Sequence, residues 1–349
     1  MVDEEDLESL PGVGSKTAQS LRDAGYTRIR DVASANPGEL SDETSLGDSK
    51  AGDVVQAARE EADIGGFEAA TNIKERRQKI GKLELLVSEI DGILGGGFET
   101  QSISEVYGEF GAGKSQITHQ LAVNVQLQEE HGGLHGSAVF IDTEDTFRPE
   151  RIDDMVRGLP EDVLESEFEH RGLDEDYDLD NEEGMDELVD HFLEYITVAE
   201  AYDTSHQMIL VDKAKDISDD RRDSEYPVRL VVIDSLTAHF RSEFTGRGEL
   251  ANRQQKLNRH MHDLLQLANA TNAVALVTNQ VQSNPDAYFG DPTKPIGGNI
   301  IGHTSNFRAY LRKSKDSKRV FNLVDAPNLE DAEGVFSVTN DGVVPEGGR

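Results

Sequence analysis

The chain has 349 residues, enough for one large domain and a small additional one, and it contains no run of eighteen apolar residues that could span a membrane. It has no cysteine, which excludes disulfides and thiolate metal sites, and its acidic start lacks the basic and apolar segments of a signal peptide, so we expect a cytoplasmic protein. Its 34 basic and 68 acidic residues give a formal net charge of -34, which by itself argues against binding a polyanion.

Residues 1–62 predict a small all-α domain. Leu10–Ala18 is a glycine-rich turn that enters a helix reaching Ala24, and the backbone N–H groups at Gly12 and Gly14 would suit a phosphate oxygen. The pattern is typical of a helix-hairpin-helix module that grips the DNA backbone without reading bases, although the same residues can simply close two helices. Its thin apolar face consists of Leu21, Ile29, Val32 and Leu40.

Residues 63–82 predict a linker. It places Phe67 beside two glycines, so this aromatic side chain either packs on its own domain or inserts into a neighbouring subunit.

Residues 83–349 alternate apolar, β-rich runs with helical stretches, which predicts an α/β fold with a mainly parallel sheet. The predicted strands are Ser102–Tyr107, Ala138–Ile141, Arg229–Ile233 and Ala273–Thr278, followed by a β-rich tail at Phe307–Arg312, Arg319–Val324 and Val335–Thr339. Pro160–His191 departs from this pattern, since it carries fifteen carboxylates against Arg171. We interpret it as a solvated insertion without a catalytic role.

A complete G-x-x-x-x-G-K-[ST] motif follows the first of these strands and precedes an amphipathic helix predicted over Gln116–Gln128. Lys114 is expected to neutralise the β- and γ-phosphates of a nucleotide, while Ser115 offers its hydroxyl to Mg²⁺. The motif consists of Gly108, Glu109, Phe110, Gly111, Ala112, Gly113, Lys114 and Ser115.

Two other predicted strands end in acids, at the edge of the sheet where α/β proteins bind ligands. Asp234 is expected to help hold Mg²⁺. Asp142 and Glu144 share one side of an extended chain, so spacing cannot choose which of them orients water for attack on the γ-phosphate. A cap for the following helix is the structural alternative.

Two basic segments stand out from the acidic background. Residues 246–260 carry four basic side chains against Glu249, and residues 293–320 carry seven against Asp316. We expect both segments to meet phosphate, with a solvated surface as the alternative.

Three explanations remain for the overall acidity: basic partners, partial disorder, or adaptation to a cytoplasm with molar salt. We favour salt adaptation because the acidity is spread along the chain and only 13 of the 34 basic residues are lysine. At 1 M salt the Debye length is about 3 Å, so most charge repulsion is screened.

Four segments resemble the archaeal and eukaryotic branch of the RecA recombinase family. They are Phe140–Arg151, Gly246–Leu250, Val277–Val281 and Lys294–Ile301. The resemblance extends from the helix-hairpin-helix domain to the last strand and spares only the acidic insertion. It implies a RecA-like P-loop ATPase core, with Glu144 as the catalytic glutamate, Arg151 against adenine, and Gln280 as the sensor that couples the γ-phosphate to the DNA loops.

The resemblance also implies DNA contacts. Residues 240–249 are similar to the first DNA-binding loop, with Arg247 as its phosphate contact. The second loop would span residues 282–299 and include Lys294, Gly297, Gly298 and Asn299.

Further parts of the resemblance concern neighbouring subunits. Phe67–Ala70 is similar to the F-x-x-A polymerisation motif, in which Phe67 and Ala70 dock into the next ATPase domain. Asp325 and Pro327 would cap the neighbour's ATP, and His303 would report that ATP across the interface. The cap continues with an acidic pair where the family usually has proline then glutamate, which puts cap stiffness and ion binding in question.

The resulting expectation is a DNA repair and recombination protein that uses ATP, Mg²⁺ and K⁺, forms a ring or helical filament, and pairs single-stranded with double-stranded DNA. The alternatives are a recombinase paralogue that uses ATP mainly structurally, and a P-loop kinase or motor. The polymerisation motif and the second loop argue against the kinase or motor.

Overall fold

The structure, a computed structural model, describes residues 6–62, 66–173, 182–244, 246–283, 293–297 and 299–348. The chain divides into two compact units, Met1–Lys79 and Ile80–Arg349. No helix in the described part of the chain is long and apolar enough to cross a membrane.

The N-terminal unit is entirely helical where it is described. Its elements are a short 3₁₀ helix at Leu7–Ser9, α1 (Ser15–Asp23), α2 (Ile29–Ser34), α3 (Pro37–Glu43), α4 (Asp48–Glu61) and α5 (Ala70–Arg77). The predicted apolar face is confirmed: Leu21, Ile29, Val32 and Leu40 are all buried. Gly12 has a φ of 83°, and Gly14 caps the start of α1, so a tight turn does lead into this helix.

The larger unit has twelve strands among the described residues. They are β1 (Lys82–Leu83), β2 (Phe98–Glu99), β3 (Ser102–Gly108), β4 (Ser137–Asp142), β5 (Ile196–Glu200), β6 (Val228–Asp234), β7 (Val274–Ser283), β8 (Thr293–Pro295), β9 (Phe307–Lys313), β10 (Lys318–Asp325), β11 (Ala332–Thr339) and β12 (Gly342–Pro345). Every strand predicted from sequence is present, although the ends differ.

The helices of this unit lie mostly between the strands. They are α6 (Ser88–Ile93), α7 (Lys114–Asn124), α8 (Pro149–Arg157), α9 (Glu161–His170), α10 (Glu182–Glu194), α11 (Thr204–Asp220), α12 (Ala238–Glu243), α13 (Leu250–Thr271) and α14 (Asn299–Thr304), with short 3₁₀ helices at Glu129–His131 and Arg247–Glu249. The helix predicted over Gln116–Gln128 begins two residues earlier and ends four residues earlier.

One large sheet organises the unit. Its strand order is β12-β11-β10-β9-β3-β7-β6-β4-β5, with β8 paired to β7. The strands from β9 to β5 are parallel, and β10 to β12 add an antiparallel edge. The predicted α/β fold with a mainly parallel sheet is confirmed.

Alternation along the central strands separates two cores. In β6, Leu230 and Val232 face one core while Val231 and Ile233 face the other. Such alternation puts helices on both faces of the sheet. Asp234 continues the register of Leu230 and Val232, which is the face packed against α7.

The interpretation of Pro160–His191 as a solvated insertion is wrong for its described residues. The apolar side chains of α9 and α10 are buried in the core that also contains α7. These residues are Val163, Leu164, Phe168, Met185, Leu188, Val189 and Phe192. The carboxylates lie mostly on the opposite helix faces, so the segment is amphipathic rather than solvated throughout. Residues 174–181 lie outside the described residues.

Candidate nucleotide site

The predicted phosphate loop joins β3 to α7. Gly108 ends β3, and a Cβ built there would lie 2.3 Å from the carbonyl oxygen of Leu311, so only glycine fits. Gly113 precedes α7 with a φ of 104°, a conformation that L side chains rarely adopt. Between them, Phe110 is 95% exposed and Ala112 is fully buried. The loop therefore delivers the N-terminus of a helix to an open edge of the sheet, a geometry that suits phosphate.

Lys114 is held at the mouth of this loop. Its Nζ donates hydrogen bonds of 3.0 Å to the carbonyl oxygens of Gly108 and Glu109. Burial lowers the pKa of Lys114, and the negative charges of Asp234 and Glu144 oppose that shift. An ammonium group with only carbonyl partners can exchange them for phosphate oxygens.

Asp234 is buried at the end of β6 beside α7. Its carboxylate accepts hydrogen bonds from the hydroxyls of Thr278 at 2.5 Å and Thr118 at 3.4 Å. Burial raises the pKa of Asp234, and hydrogen bonds from Thr278 and Ser115 lower it. The neighbouring hydroxyl of Ser115 and carboxylate of Asp234 form an oxygen-only donor set, the kind that Mg²⁺ prefers.

The structure distinguishes the roles of Asp142 and Glu144, which the sequence spacing could not do. The carboxylate of Asp142 accepts hydrogen bonds from the backbone N–H groups of Glu144, Thr146 and Phe147, at 2.7 to 3.0 Å. It therefore shapes the turn after β4. Glu144 instead accepts from Ser235 Oγ at 3.0 Å and from Gln280 Nε2 at 2.8 Å.

Gln280 lies beside the phosphate loop, since it pairs with Gly108 in the register of β7 and β3. Its side chain donates to Glu144, and its carbonyl oxygen accepts from the N–H of Ile296 at 3.0 Å. Ile296 follows β8, at the far end of the predicted second DNA loop. One residue thus joins the acid next to the phosphate site to the base of that loop.

Arg151 is close to α7 but fully engaged. Its Nε donates to Gln116 at 2.7 Å, and its terminal nitrogens donate to the carbonyl oxygens of Thr339 and Asn340 and to Asp154. The guanidinium fastens the start of α8 to the end of β11, which holds its position beside the phosphate-loop helix.

His119 was not predicted from sequence, and no motif marks it. Its Nε2 accepts from the backbone N–H of Arg148 at 3.2 Å, so the ring proton is on Nδ1, which donates to the carbonyl oxygen of Ser115 at 2.6 Å. The ring packs against Phe140 and Phe147. Burial lowers the pKa of His119 to about 4, so the imidazole is neutral and positions the first turn of α7.

Glu105 is a further residue that sequence reasoning missed, and it meets the second basic segment, to which Arg308 and Lys313 belong. Glu105 is buried in β3, where it accepts from Arg308 Nε at 2.8 Å and from Asn279 Nδ2 at 2.8 Å. The Nζ of Lys313 approaches Gly111 so closely that a Cβ there would lie 2.7 Å away. The second basic segment thus supplies a buried ion pair and a cation at the phosphate loop. Its excess of basic residues was the available signal.

Comparison with known proteins identifies the family. A family model described as Rad51 matches residues 76–180 and 164–346, and one described as a SAM-like helix-hairpin-helix tandem matches residues 4–60. The chain is 61% identical over 343 residues to the "DNA repair and recombination protein RadA" of Halobacterium salinarum, covering 98% of this chain and 99% of that relative. This chain belongs to the Rad51 family and is a RadA-type recombinase.

Other relatives carry the same name. The proteins of Haloferax volcanii and Methanoculleus marisnigri are 59% and 54% identical to this chain, over 98% and 97% of its length and 99% and 98% of theirs. The predicted family and the predicted helix-hairpin-helix domain are therefore confirmed.

The structure describes the predicted DNA-binding residues unevenly. Arg247 begins a short 3₁₀ helix before α13, Lys294 lies in β8, and Asn299 begins α14. The side chains of these three residues lie outside the description, as do residues 284–292 and all of Gly298. Gly297 is described, with a φ of 98°.

The residues expected at subunit interfaces are exposed. Phe67 has an exposed fraction of 113%, and Ala70 begins α5, a helix with no buried residue. His303 near the end of α14, Asp325 at the end of β10 and Pro327 after that strand are also exposed. No described residue of the N-terminal unit covers the ring of Phe67.

Proposed function

We propose that this recombinase assembles on single-stranded DNA as a helical filament, pairs that strand with homologous double-stranded DNA and exchanges strands in an ATP-dependent reaction. The hydrogen bonds of Gln280 are the observation that carries the proposal, because they connect Glu144 at the phosphate site to Ile296 at the base of the second DNA loop. Through these hydrogen bonds, loss of the γ-phosphate can change the position of the DNA loop, and DNA binding can change the position of Glu144.

We assign the hydrolytic roles as follows. The phosphate loop and Lys114 hold the triphosphate, while Ser115 and Asp234 would hold Mg²⁺, which supplies charge neutralisation to the phosphates when bound. Glu144 accepts the proton of the attacking water. Arg151, already fixed by hydrogen bonds to the end of β11, offers the face of its guanidinium to adenine.

We propose that each ATP lies between two copies of the chain. Gly108 ends β3 and Asp325 ends β10, and these strands run in opposite directions because β9 is parallel to β3 and antiparallel to β10. The two residues therefore point to opposite edges of one sheet. A nucleotide that touches both the phosphate loop and the cap of Asp325 and Pro327, with His303 nearby, needs two subunits.

Phe67 and Ala70 are proposed to link these copies. The ATPase unit exposes apolar side chains in and near strand β5, which pairs only with β4 among the described strands. They are Val198, Tyr202 and Ile209, with exposed fractions of 38%, 74% and 50%. Burying an exposed phenylalanine on such a patch would contribute about 2 kcal/mol per subunit, repeated along the filament.

The DNA contacts repeat in the same way. We propose that Arg247 of the first loop, and Lys294, Gly297, Gly298 and Asn299 of the second, contact the single strand in every subunit. Modest contacts then add along the polymer. Gly12 and Gly14 of the N-terminal unit would contact the backbone of double-stranded DNA through their N–H groups.

We further propose that the protein works in a potassium-rich cytoplasm. Contacts that neutralise phosphates weaken with the logarithm of salt concentration, so in molar salt backbone contacts, base stacking and filament cooperativity must contribute more. A K⁺ ion beside the acidic cap, near Asp325 and Asp331, would fit this setting. Filament formation should hold or increase from dilute to molar KCl, and a steady loss with the protein still folded would contradict the salt hypothesis.

Two measurements test the central proposal. ATP hydrolysis should be stimulated by single-stranded DNA in the wild type, whereas Gln280→Ala should keep basal hydrolysis and lose most of the stimulation. Strand exchange between homologous DNAs distinguishes a recombinase from a regulatory paralogue. If single-stranded DNA does not change the rate of ATP hydrolysis by the wild type, the proposed coupling between the phosphate site and the DNA loop is refuted.

The interface assignment is tested separately. Phe67→Glu should give monomers by light scattering with ATP and DNA present, while Ile73→Glu, an exposed apolar position in the same unit, should still form filaments. A Phe67→Glu protein that still forms filaments would remove the assignment.

A further inference from the structure

Three metal-ligating side chains meet at the edge of the sheet opposite to the phosphate site. His135 precedes β4, Glu225 precedes β6, and His170 ends α9 in the acidic segment. The His135 and His170 Nε2 atoms are 3.1 Å apart, His170 Nε2 is 3.9 Å from Glu225 Oε1, and one ligand atom from each residue lies within 4.8 Å of the others. We propose that these residues form a zinc site that fastens the acidic segment to the start of β4 and β6.

The spacing suits zinc. Two nitrogens bound tetrahedrally to one Zn²⁺ at about 2.0–2.1 Å lie about 3.3 Å apart, so the separation of the two Nε2 atoms needs to increase by only a few tenths of an ångström. The Glu225 carboxylate is on an exposed side chain and can close the remaining distance. Two histidines and one glutamate are a known zinc ligand set with a fourth position for water.

The surroundings hold the imidazoles in place. His135 has a φ of 44°, and its N–H donates to the carbonyl oxygen of Leu127 at 3.0 Å, which fixes the backbone in a conformation that few side chains adopt. Its ring also packs edge-on against Tyr226 and His170. Preorganised ligands lose less entropy when they bind an ion.

The nearby charges are compatible with a cation. Two arginines lie nearby. Arg171 is neutralised by a buried ion pair with Glu167 at 3.0 Å and lies over the ring of Phe192. The side chain of Arg229 packs against Gly136 and donates to the carbonyl oxygen of Thr271. On the solvent side, a pocket of about 560 Å³ is lined by Gln128, Glu129, Glu130 and His135. Its two carboxylates attract cations, and its volume admits water as the fourth ligand.

A zinc ion here would cross-link parts of the chain that are far apart in sequence. His135, His170 and Glu225 come from three separate segments, one of which directly precedes residues 174–181. We therefore expect zinc to stabilise the fold by binding the native state alone. This inference is independent of the proposed recombination mechanism.

The test uses the full-length protein freed of metal and titrated with Zn²⁺ against a colorimetric zinc chelator, with excess Mg²⁺ to occupy weak acidic sites. The wild type should bind one equivalent tightly, and its melting temperature should rise. His135→Gln, His170→Gln and Glu225→Gln should each weaken binding at least about tenfold, since even outer-shell changes cost about 10–100-fold. His262→Gln, which changes an exposed histidine of α13, should bind like the wild type.

Two results would overturn the site. One is that the His170→Gln variant still binds one equivalent of zinc with unchanged affinity, because the ion must then lie at another site. The other is a wild-type protein that binds zinc only as weakly as surface carboxylates do. His135 and His170 would then form a hydrogen bond and no metal site. Nucleotide binding at the opposite edge of the sheet checks that each variant is folded. If His135→Gln fails this check, Glu225→Gln carries the test, because it changes an exposed side chain.

Discussion

The buried ion pair between Glu105 and Arg308 predicts a large loss of stability in Glu105→Gln. Glu105 accepts one hydrogen bond from Arg308 and one from Asn279, each of 2.8 Å. A glutamine amide has one oxygen, so in either orientation its NH₂ group faces one of the two donors. The unsatisfied donor costs about 1–3 kcal/mol. Arg308, with only 16% of its side chain exposed, also loses its counter-charge. Because breaking a buried pair costs about 3–5 kcal/mol, we expect a decrease of about 3 kcal/mol in the free energy of unfolding.

The matched control is Glu333→Gln. Glu333 pairs with Arg312 of the same strand β9 at 3.1 Å, but both side chains are about half exposed, so this pair should contribute at most about 1 kcal/mol. Urea unfolding in constant KCl, followed by far-UV circular dichroism, measures both variants without changing ionic strength. Equal losses in the two variants, or a loss below about 1 kcal/mol for Glu105→Gln, would refute the reasoning.

Two other outcomes follow from the site, and a third follows from His260, which is buried in α13. Lys114→Ala should abolish ATP hydrolysis in a phosphate-release assay, since the Nζ of Lys114 is the group expected to neutralise the β- and γ-phosphates; full activity would exclude the assigned role. Glu144→Gln keeps an oxygen that can accept from Ser235 and Gln280, so ATP binding should persist while hydrolysis falls about 10²–10⁴-fold, and filaments should remain ATP-bound; unchanged turnover would point to another base. Burial lowers the pKa of His260 from 6.5 to about 4, so between these values only the unfolded chain takes up the proton. Stability should therefore fall as pH drops from about 6.5 to about 4, by at most about 1.4 kcal/mol per unit, and His260→Met should show a shallower slope in pH-dependent urea unfolding.

Local patterns predicted most of the fold and the phosphate loop. The run Leu230–Ile233 is apolar on both faces, which marks a central parallel strand and puts Asp234 at its end. The loop residues were predictable because they follow a recurring motif with local backbone requirements, as the φ of 104° at Gly113 directly before α7 illustrates. Such requirements depend on neighbours in the sequence or on a recurring motif, so a single chain reveals them.

Long-range partners were beyond the sequence. Glu105 meets Asn279 and Arg308 across 174 and 203 residues, and nothing near Glu105 marks it as buried. The choice between Asp142 and Glu144 likewise needed the turn geometry. The prediction for the acidic segment was wrong for another reason. It relied on the net charge and overlooked a helical periodicity of apolar residues at spacings of three and four, which is shown by Met185, Leu188, Val189 and Phe192.

The opposed directions of β3 and β10 have a consequence for how activity depends on assembly size. If each ATP is bound between two neighbouring subunits, a linear array of n subunits has one complete catalytic centre fewer than it has subunits. A closed ring has as many complete centres as subunits. Turnover per subunit should then climb with polymer length in open arrays, and a lone terminal protomer would hold nucleotide it cannot efficiently cleave. Growth of the polymer would itself switch the enzyme on.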